Sequence, residues 1–246
     1  MPAISEQVQS FWDIDSVTYD HSPTHHPRTG LELAAWAASL RRLLPAPPAR
    51  VLDVGAGTGF LSVLLARQGY QVDALDLSPG MLERLREKAK TAGLAITTIV
   101  GDATGTPVGP FDAVVERHLL WTLPDPGAAL EAWRRSAPEG RLLLVEGVAG
   151  AAGGRGEQLR RAGRAALQRL RREHDHHAHY DQSLRSQLPL GEGATPERIV
   201  ALVESSSWGP ARLERLRDVE WAAHRALPSV ADRLMGVPPR FAITAG

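Results

Sequence analysis

The chain has 246 residues, of which 43% are hydrophobic and 23% charged, and its 28 basic residues balance 28 acidic ones. This composition is typical of a folded globular protein and excludes a disordered or fibrous chain. The balanced charge disfavours a general nucleic-acid binder, and the absence of cysteine excludes disulfides, thiolate nucleophiles and cysteine metal sites within the chain.

Membrane and export signals are missing from the sequence pattern. No stretch reaches the ~18 apolar residues that a bilayer span needs, and the first residues lack the basic and apolar regions of a secretory signal. The sequence therefore predicts no membrane partner and a cytoplasmic location.

Short apolar segments alternate with amphipathic ones through the first half of the chain. A helix is predicted over 31–44, and it ends at Pro45. Further helices are predicted over 58–68, from Ser78-Pro79 and from Asp125-Pro126, and strands over 50–54, 71–76, 96–100, 111–115 and 141–146. This alternation predicts an α/β fold whose parallel sheet is covered on both faces.

The alternation stops after Glu146. A small-residue linker, a helix over 157–172 and the His-rich stretch 174–179 predict an inserted lid over the sheet edge. A helix from Thr195-Pro196 and two strands near 213–219 and 240–244 are expected to follow. The predicted organisation is N-terminal cap helices over 1–49, a ligand-binding core over 50–146, the lid over 147–194 and the end of the core over 195–246.

The strongest motif is the glycine-rich loop directly after the first strand, with Gly55, Gly57 and Gly59. Glycines at these positions let the backbone approach a ligand, and the amides at the start of the next helix favour a carboxylate or phosphate. A dinucleotide dehydrogenase needs a third glycine at position 60, where this chain has Phe60. Asp53, just before the loop, adds a carboxylate that can hold an ammonium group.

Two more aspartates follow the next two strands. Asp76 is placed to accept hydrogen bonds from both hydroxyls of a ribose, and Asp102 to accept from an adenine amino group. Each alone is a common turn former, so the prediction rests on their joint position at successive strand ends.

Residues 50–146 resemble the class I S-adenosylmethionine-dependent methyltransferases of small-molecule type. The resemblance rests on five segments in order: 51–59, 76–78, 101–103, 111–121 and 138–145. It implies a Rossmann-like, seven-stranded, mostly parallel sheet that binds S-adenosylmethionine and releases S-adenosylhomocysteine. The expected cofactor contacts are Tyr19 of an N-terminal cap, Asp53, Gly55, Gly57, Gly59, Asp76, Leu77, Met81, Asp102, Ala103 and Glu116.

The expected acceptor site lies just past the fourth strand. His118 is the candidate general base, with a pocket-shaping role as the alternative. Arg117 and Trp121 are candidate substrate contacts, with a place in the core as the alternative for Trp121. In the His-rich stretch we expect solvated lid surface, with His177 as a candidate substrate contact and no bound metal.

The predicted function is methyl transfer to an N or O atom of a small-molecule acceptor, in specialised metabolism. A peptide terminus or side chain is the alternative acceptor, whereas RNA and DNA are disfavoured. A protein that binds S-adenosylmethionine without turnover is a second class, and a dehydrogenase is a third.

Overall fold

The structure is a computed structural model that describes residues 4–22, 25–147, 155–171, 185–191 and 193–246. Its centre is a seven-stranded sheet with the order β3-β2-β1-β4-β5-β7-β6. Strands β1 to β5 are parallel, and β7 runs antiparallel to both β5 and β6. The strands are β1 (Arg50–Val54), β2 (Gln71–Asp76), β3 (Ile96–Val100), β4 (Ala113–Arg117), β5 (Arg141–Gly147), β6 (Ala211–Arg215) and β7 (Arg240–Ala245).

Helices lie between most of these strands and before the first one. In chain order they are α1 (Ile4–Asp15), α2 (Gly30–Leu43), α3 (Phe60–Arg67), α4 (Pro79–Thr91), α5 (Pro126–Ser136), α6 (Arg155–Arg171), α7 (Pro196–Glu204), α8 (Arg217–Arg225) and α9 (Val230–Met235). Short 3-10 turns occur at Tyr19–His21 and Leu120–Thr122. The predicted α/β fold is therefore confirmed.

Three helices begin with the same local chemistry. Ser78, Asp125 and Thr195 each accept a hydrogen bond from a backbone amide of the first helical turn, and each is followed by proline. Because that cap and the fixed φ of proline favour the first turn, the sequence alone locates these helix starts.

Two apolar layers cover the sheet. Leu52, Val54 and Val114 face a cluster that contains Trp133 of α5. Val51, Val115 and their neighbours face the opposite cluster, with α2 and α3. Because successive strand residues point to opposite faces, Asp53 belongs to the α3 side of β1.

The C-terminal region corrects one predicted element. The strand expected over 213–219 is wrong in its second half: β6 ends at Arg215, and Val219 lies in α8. Val219, Ala222 and Ala223 are buried at helical spacing, so this apolar stripe stabilises a helix there. The fourth strand also begins at Ala113 instead of residue 111.

Helix α6 lies within the segment predicted as a lid, and its Arg164 donates a hydrogen bond to the backbone carbonyl of Met235, 2.8 Å away. The limits of that lid and of the N-terminal cap stay predictions. Among the helices of the described ranges, none is long and apolar enough to cross a membrane.

Candidate active site

The glycine loop forms the floor of a cleft beyond the carboxyl ends of the neighbouring strands β1 and β4. Gly55 and Gly57 have φ angles of +67° and +54°, in the left-handed region that favours glycine. A Cβ added at Gly57 would meet no atom within 4 Å, so this backbone borders open space. A Cβ at Gly59 would lie 2.1 Å from Leu85 Cδ1, so Gly59 is required by helix packing and lies outside the cleft lining.

Asp76 lies at the end of β2, beside this loop. Its two carboxylate oxygens accept hydrogen bonds from the backbone N–H groups of Gly57, at 2.7 Å, and Ser78, at 2.8 Å. Burial raises the pKa of the Asp76 carboxyl to about 6, against the opposing effect of those hydrogen bonds. The side chain is thus fixed in position at the cleft wall.

The loop after β3 supplies the next wall. Asp102 accepts hydrogen bonds from the amide and the hydroxyl of Thr104. The carbonyl oxygen of Ala103 accepts a hydrogen bond from the indole of Trp133, 2.8 Å away. Core packing of α5 therefore fixes the loop that lines the far end of the cleft.

The cleft contains about 780 Å³ of empty space, including its opening to solvent. Its lining residues are Ser5, Val8, Trp12, Tyr19, Gly55, Gly57, Leu75, Asp76, Leu77, Met81, Gly101, Asp102, Ala103, Arg117, His118, Leu119, Thr122, Leu123 and Pro124.

The N-terminal segment is attached to the cleft by two aspartates. Asp13 accepts hydrogen bonds from the Ser78 hydroxyl and the Gly80 amide at the start of α4. Asp20 accepts from the Thr58 hydroxyl of the glycine loop at 2.7 Å and pairs with Lys88 at 2.6 Å. These contacts hold Trp12 and Tyr19 over the cleft.

A second cavity, with about 1710 Å³ of empty space, adjoins the first. The two cavities share four lining residues: Trp12, Tyr19, Arg117 and His118. Trp121 lines only the second cavity, where the guanidinium of Arg185 lies 5.6 Å from its ring centre. A ligand in the first cavity and a ligand in the second would therefore contact each other beside these four residues.

His118 lies directly at this junction. It is the one non-glycine residue of the described ranges with a left-handed backbone, at φ +60°. Such a conformation costs on the order of 1–3 kcal/mol and persists where surrounding contacts enforce it. Its Nδ1 lies 3.2 Å from Oε2 of Glu146, at the end of β5. The side chain of His118 is 39% exposed, whereas that of Glu146 is 7% exposed.

Buried charges surround this pair. Burial raises the pKa of Glu146 to about 8, and burial together with the charge of Glu146 raises the pKa of Glu116 well above its usual value. Oε1 of each of these carboxyls has no hydrogen-bond partner among the described residues. Arg117 lies near both, with its guanidinium stacked 4.1 Å above the ring centre of Phe60. At neutral pH the two carboxyls therefore hold at least one proton between them.

Asp53 and Glu116 lie outside the lining of both cavities. Asp53 accepts a hydrogen bond from the Ser62 hydroxyl of α3 at 2.5 Å, and burial raises its pKa to about 7. Glu116 accepts from the Leu119 amide at 2.8 Å and so fixes the turn that carries His118. Both carboxyl groups therefore lie behind the cavity walls and stabilise the backbone that carries the lining residues.

Eight of the eleven expected cofactor contacts line the cleft: Tyr19, Gly55, Gly57, Asp76, Leu77, Met81, Asp102 and Ala103. Arg117 and Trp121 line the second cavity as the expected substrate contacts, whereas His177 lies outside the described residues. Sequence reasoning missed Trp12 and Glu146. Glu146 becomes recognisable only once the strand order is known, because β4 and β5 pair Arg117 with Val145, which places residues 118 and 146 side by side.

No group of three or more histidines, aspartates and glutamates able to hold a metal ion occurs in the ranges that the structure describes. The His-rich stretch 174–179 lies outside those ranges.

The sheet order, with an antiparallel β7 and a cleft at the β1–β4 switch point, defines the class I methyltransferase fold. Residues 52–144 match the family model described as "Methyltransferase domain". Over these residues the chain is similar to the class I S-adenosylmethionine-dependent methyltransferases, and its fold is the one they share.

Among curated proteins, the chain is similar to the ubiquinone biosynthesis O-methyltransferase of Xylella fastidiosa (strain 9a5c), with 36% identity over 109 residues. That alignment covers 43% of this chain and 44% of the relative, so the chain spans less than half the length of the curated protein it matches.

Two solved structures share the fold over nearly the whole chain. The magnesium protoporphyrin IX methyltransferase ChlM from Synechocystis PCC 6803, with bound SAH, superposes with a TM-score of 0.61 at 17% identity, over 98% of each chain. The cyclase SpnF gives a TM-score of 0.64 at 17% identity, over 98% of this chain and 95% of its own.

Proposed function

We propose that the protein binds S-adenosylmethionine in the first cleft and transfers its methyl group to an N or O atom of a small-molecule acceptor in the second cavity. The observation that carries this proposal is the junction of the two cavities at Trp12, Tyr19, Arg117 and His118. The bound cofactor supplies an activated methyl group on a sulfonium, so the protein mainly has to align the acceptor and exclude water.

The residues of the cleft fit this cofactor. The open space at Gly57 accepts a ligand close to the backbone, and the carboxylate of Asp76 is suited to the two ribose hydroxyls. Asp102 and the fixed Ala103 loop suit the adenine, while Tyr19, Leu77 and Met81 supply contact area. Asp53 already accepts a hydrogen bond from Ser62. We therefore expect it to act on the cofactor's ammonium group through long-range electrostatic attraction, without direct contact.

His118 is the proposed general base, and Glu146 is its positioning residue. The Nδ1–H of His118 donates to Glu146, which leaves the lone pair of a neutral imidazole on Nε2. An acceptor O–H or N–H transfers its proton to Nε2 as the methyl group arrives, and the carboxyl of Glu146 keeps the ring in the orientation that receives it. The strained backbone of His118 and the turn fixed by Glu116 hold the ring at the junction.

Support for oxygen as the attacked atom comes from the curated relative, which is an O-methyltransferase. A small molecule is favoured over a peptide because α1 and the Tyr19–His21 turn lie across the cleft, held by Asp13 and Asp20. The assignment to specialised metabolism rests on the sequence resemblance to small-molecule methyltransferases.

Turnover with S-adenosylmethionine that carries a tritiated methyl group tests the proposal. The purified chain is incubated with phenols, amines, carboxylic acids and short peptides, and labelled product is counted after extraction. We expect label in one class of small N- or O-nucleophile, and its loss in Asp76→Ala. Transfer to peptides alone would overturn the small-molecule assignment.

A second candidate function is cofactor binding without methyl transfer, favoured by the likeness to SpnF, which is a [4+2]-cyclase. Tight binding of S-adenosylmethionine, with no label in any acceptor, would support that alternative and contradict the proposed transfer.

A further inference from the structure

Basic residues dominate the lining of the second cavity. Among the described residues, its charged side chains are Arg117, Arg161, Arg185, Arg240 and a single carboxyl, that of Glu146. Since burial raises the pKa of Glu146 to about 8, this carboxyl offers little negative charge at neutral pH. The described part of the cavity wall is therefore electropositive.

Arg240, the first residue of β7, has a guanidinium with no hydrogen-bond or ion-pair partner in the part of the chain that the structure describes. Its guanidinium lies 5.4 Å from the ring centre of Trp36 and makes no hydrogen bond or salt bridge to any described residue. Burial, and then the charge of Arg117, lowers the pKa of Arg240 to about 10. A half-buried cation under these conditions gains from an anion.

The carboxylates nearest to Arg240 are engaged elsewhere. Glu220 accepts three hydrogen bonds from Arg215, at 2.8, 2.9 and 3.1 Å, and one from the backbone N–H of Arg240. Glu32 accepts the backbone N–H of Arg28 at 3.0 Å. Neither forms a salt bridge with the guanidinium of Arg240, whose charge therefore remains available to a ligand.

The position of Arg240 relates it to the candidate base. On the neighbouring strand it pairs with Gly147, the residue after Glu146. A Cβ at Gly147 would lie 3.4 Å from His118 Cε1 and 3.9 Å from the carbonyl oxygen of Pro239. The missing side chain thus leaves a gap between the imidazole and the start of β7. Trp12, Tyr19 and Trp121 supply aromatic walls to the same cavity.

We propose that the methyl acceptor is an anion: a flat molecule whose carboxylate, phosphate or sulfate group pairs with Arg240, while its reacting N or O atom lies at His118. The planar guanidinium binds such oxyanions in a two-pronged manner. The aromatic walls bind the flat part of the acceptor. This inference rests on the proposed function for the identity of the reaction, but the anion site itself is testable without turnover.

A matched pair of fluorescent probes tests the site. The anion 8-anilinonaphthalene-1-sulfonate differs from neutral N-phenyl-1-naphthylamine only in its sulfonate, and both brighten in apolar cavities. Each is titrated into the full chain in the presence and absence of S-adenosylhomocysteine. We expect the sulfonate to bind about tenfold to about a hundredfold more tightly than the neutral probe.

Three variants locate the effect. Arg240→Gln is expected to remove the preference for the sulfonate and to leave the affinity of the neutral probe within about twofold. Arg240→Lys keeps the charge and retains part of the preference. Arg212→Gln, an exposed arginine on the neighbouring β6, is the matched control and behaves as wild type. Thermal unfolding checks that each variant is folded.

Three results would overturn the proposal: equal or undetectable binding of the two probes to wild type, equal weakening of both probes in Arg240→Gln, or loss of the preference in Arg212→Gln. Calorimetric binding of S-adenosylhomocysteine is measured separately. If that ligand fails to bind but the preference that depends on Arg240 persists, the proposed function fails and the anion site stands. If S-adenosylhomocysteine binds but the preference for the sulfonate does not depend on Arg240, the anion site fails and the proposed function stands.

Discussion

Protonation of Asp76 sets the pH range over which the cleft binds an adenosyl ligand. Burial raises the pKa of this carboxyl to about 6, and its oxygens already accept the amides of Gly57 and Ser78. Ribose hydroxyls donate to the ionised carboxylate, so binding favours the deprotonated form. Affinity should therefore be full above pH 6 and fall as the pH drops through that value.

The size of the effect follows from the fraction of ionised Asp76. With a pKa of about 6, roughly one molecule in ten is ionised at about pH 5, so the Kd should rise about tenfold from its value at about pH 7.5. Asp76→Asn removes the charge and turns an N–H₂ group toward one of the two backbone amides. We expect this variant to bind S-adenosylhomocysteine more weakly by about 1–3 kcal/mol, with a Kd that does not depend on pH over this range.

Calorimetric titration with S-adenosylhomocysteine at the two pH values measures this dependence. Asp73→Asn is the matched control, because Asp73 lies on the same strand but pairs with Arg50 and does not line the cleft. The control should keep the wild-type dependence. A wild-type Kd that does not change with pH, or the same dependence in Asp76→Asn, would refute the assignment of Asp76 to the ribose.

The remaining predictions concern His118 and two buried acids, Glu146 and Asp53. His118→Ala should lower kcat by about 10²- to 10⁴-fold and leave the Kd of the cofactor unchanged. Glu146→Gln should lower kcat less and shift the acidic limb of the pH profile of kcat. An unshifted pH profile would remove Glu146 from the mechanism. Because the folded-state pKa of Asp53 is raised to about 7, its contribution to stability is intact below the unfolded pKa and is lost as the pH rises through 7. Asp53→Asn should therefore increase the free energy of unfolding more at about pH 8 than at about pH 4, as measured by urea denaturation; an equal change at both pH values would contradict the raised pKa.

Local sequence signals were sufficient for the first cleft. Glycine spacing and the aspartates at successive strand ends place Gly57, Asp76 and Asp102 together, because parallel strands end at the same edge of a sheet. Asp53 shows the limit of that logic: the pleat of β1 directs its side chain to Ser62 on the α3 face and not into the cleft.

The second cavity required the tertiary structure. Glu146 reaches His118 only because β5 lies beside β4, and Arg240 reaches the same edge because β7 inserts antiparallel between β5 and β6. Strand order of this kind is set by packing over long sequence separations, which local patterns do not encode. Helix α8 is a different case: the helical stripe of Val219, Ala222 and Ala223 is present in the sequence, but no glycine or proline separates it from β6 to mark where the strand ends.

Calorimetric titration of the purified chain with S-adenosylmethionine, S-adenosylhomocysteine and NAD in parallel tests the central claim most directly. We predict micromolar binding of both adenosyl ligands and no binding of NAD. Binding of NAD, or of none of the three ligands, would contradict the assignment of the glycine loop and its cleft to S-adenosylmethionine.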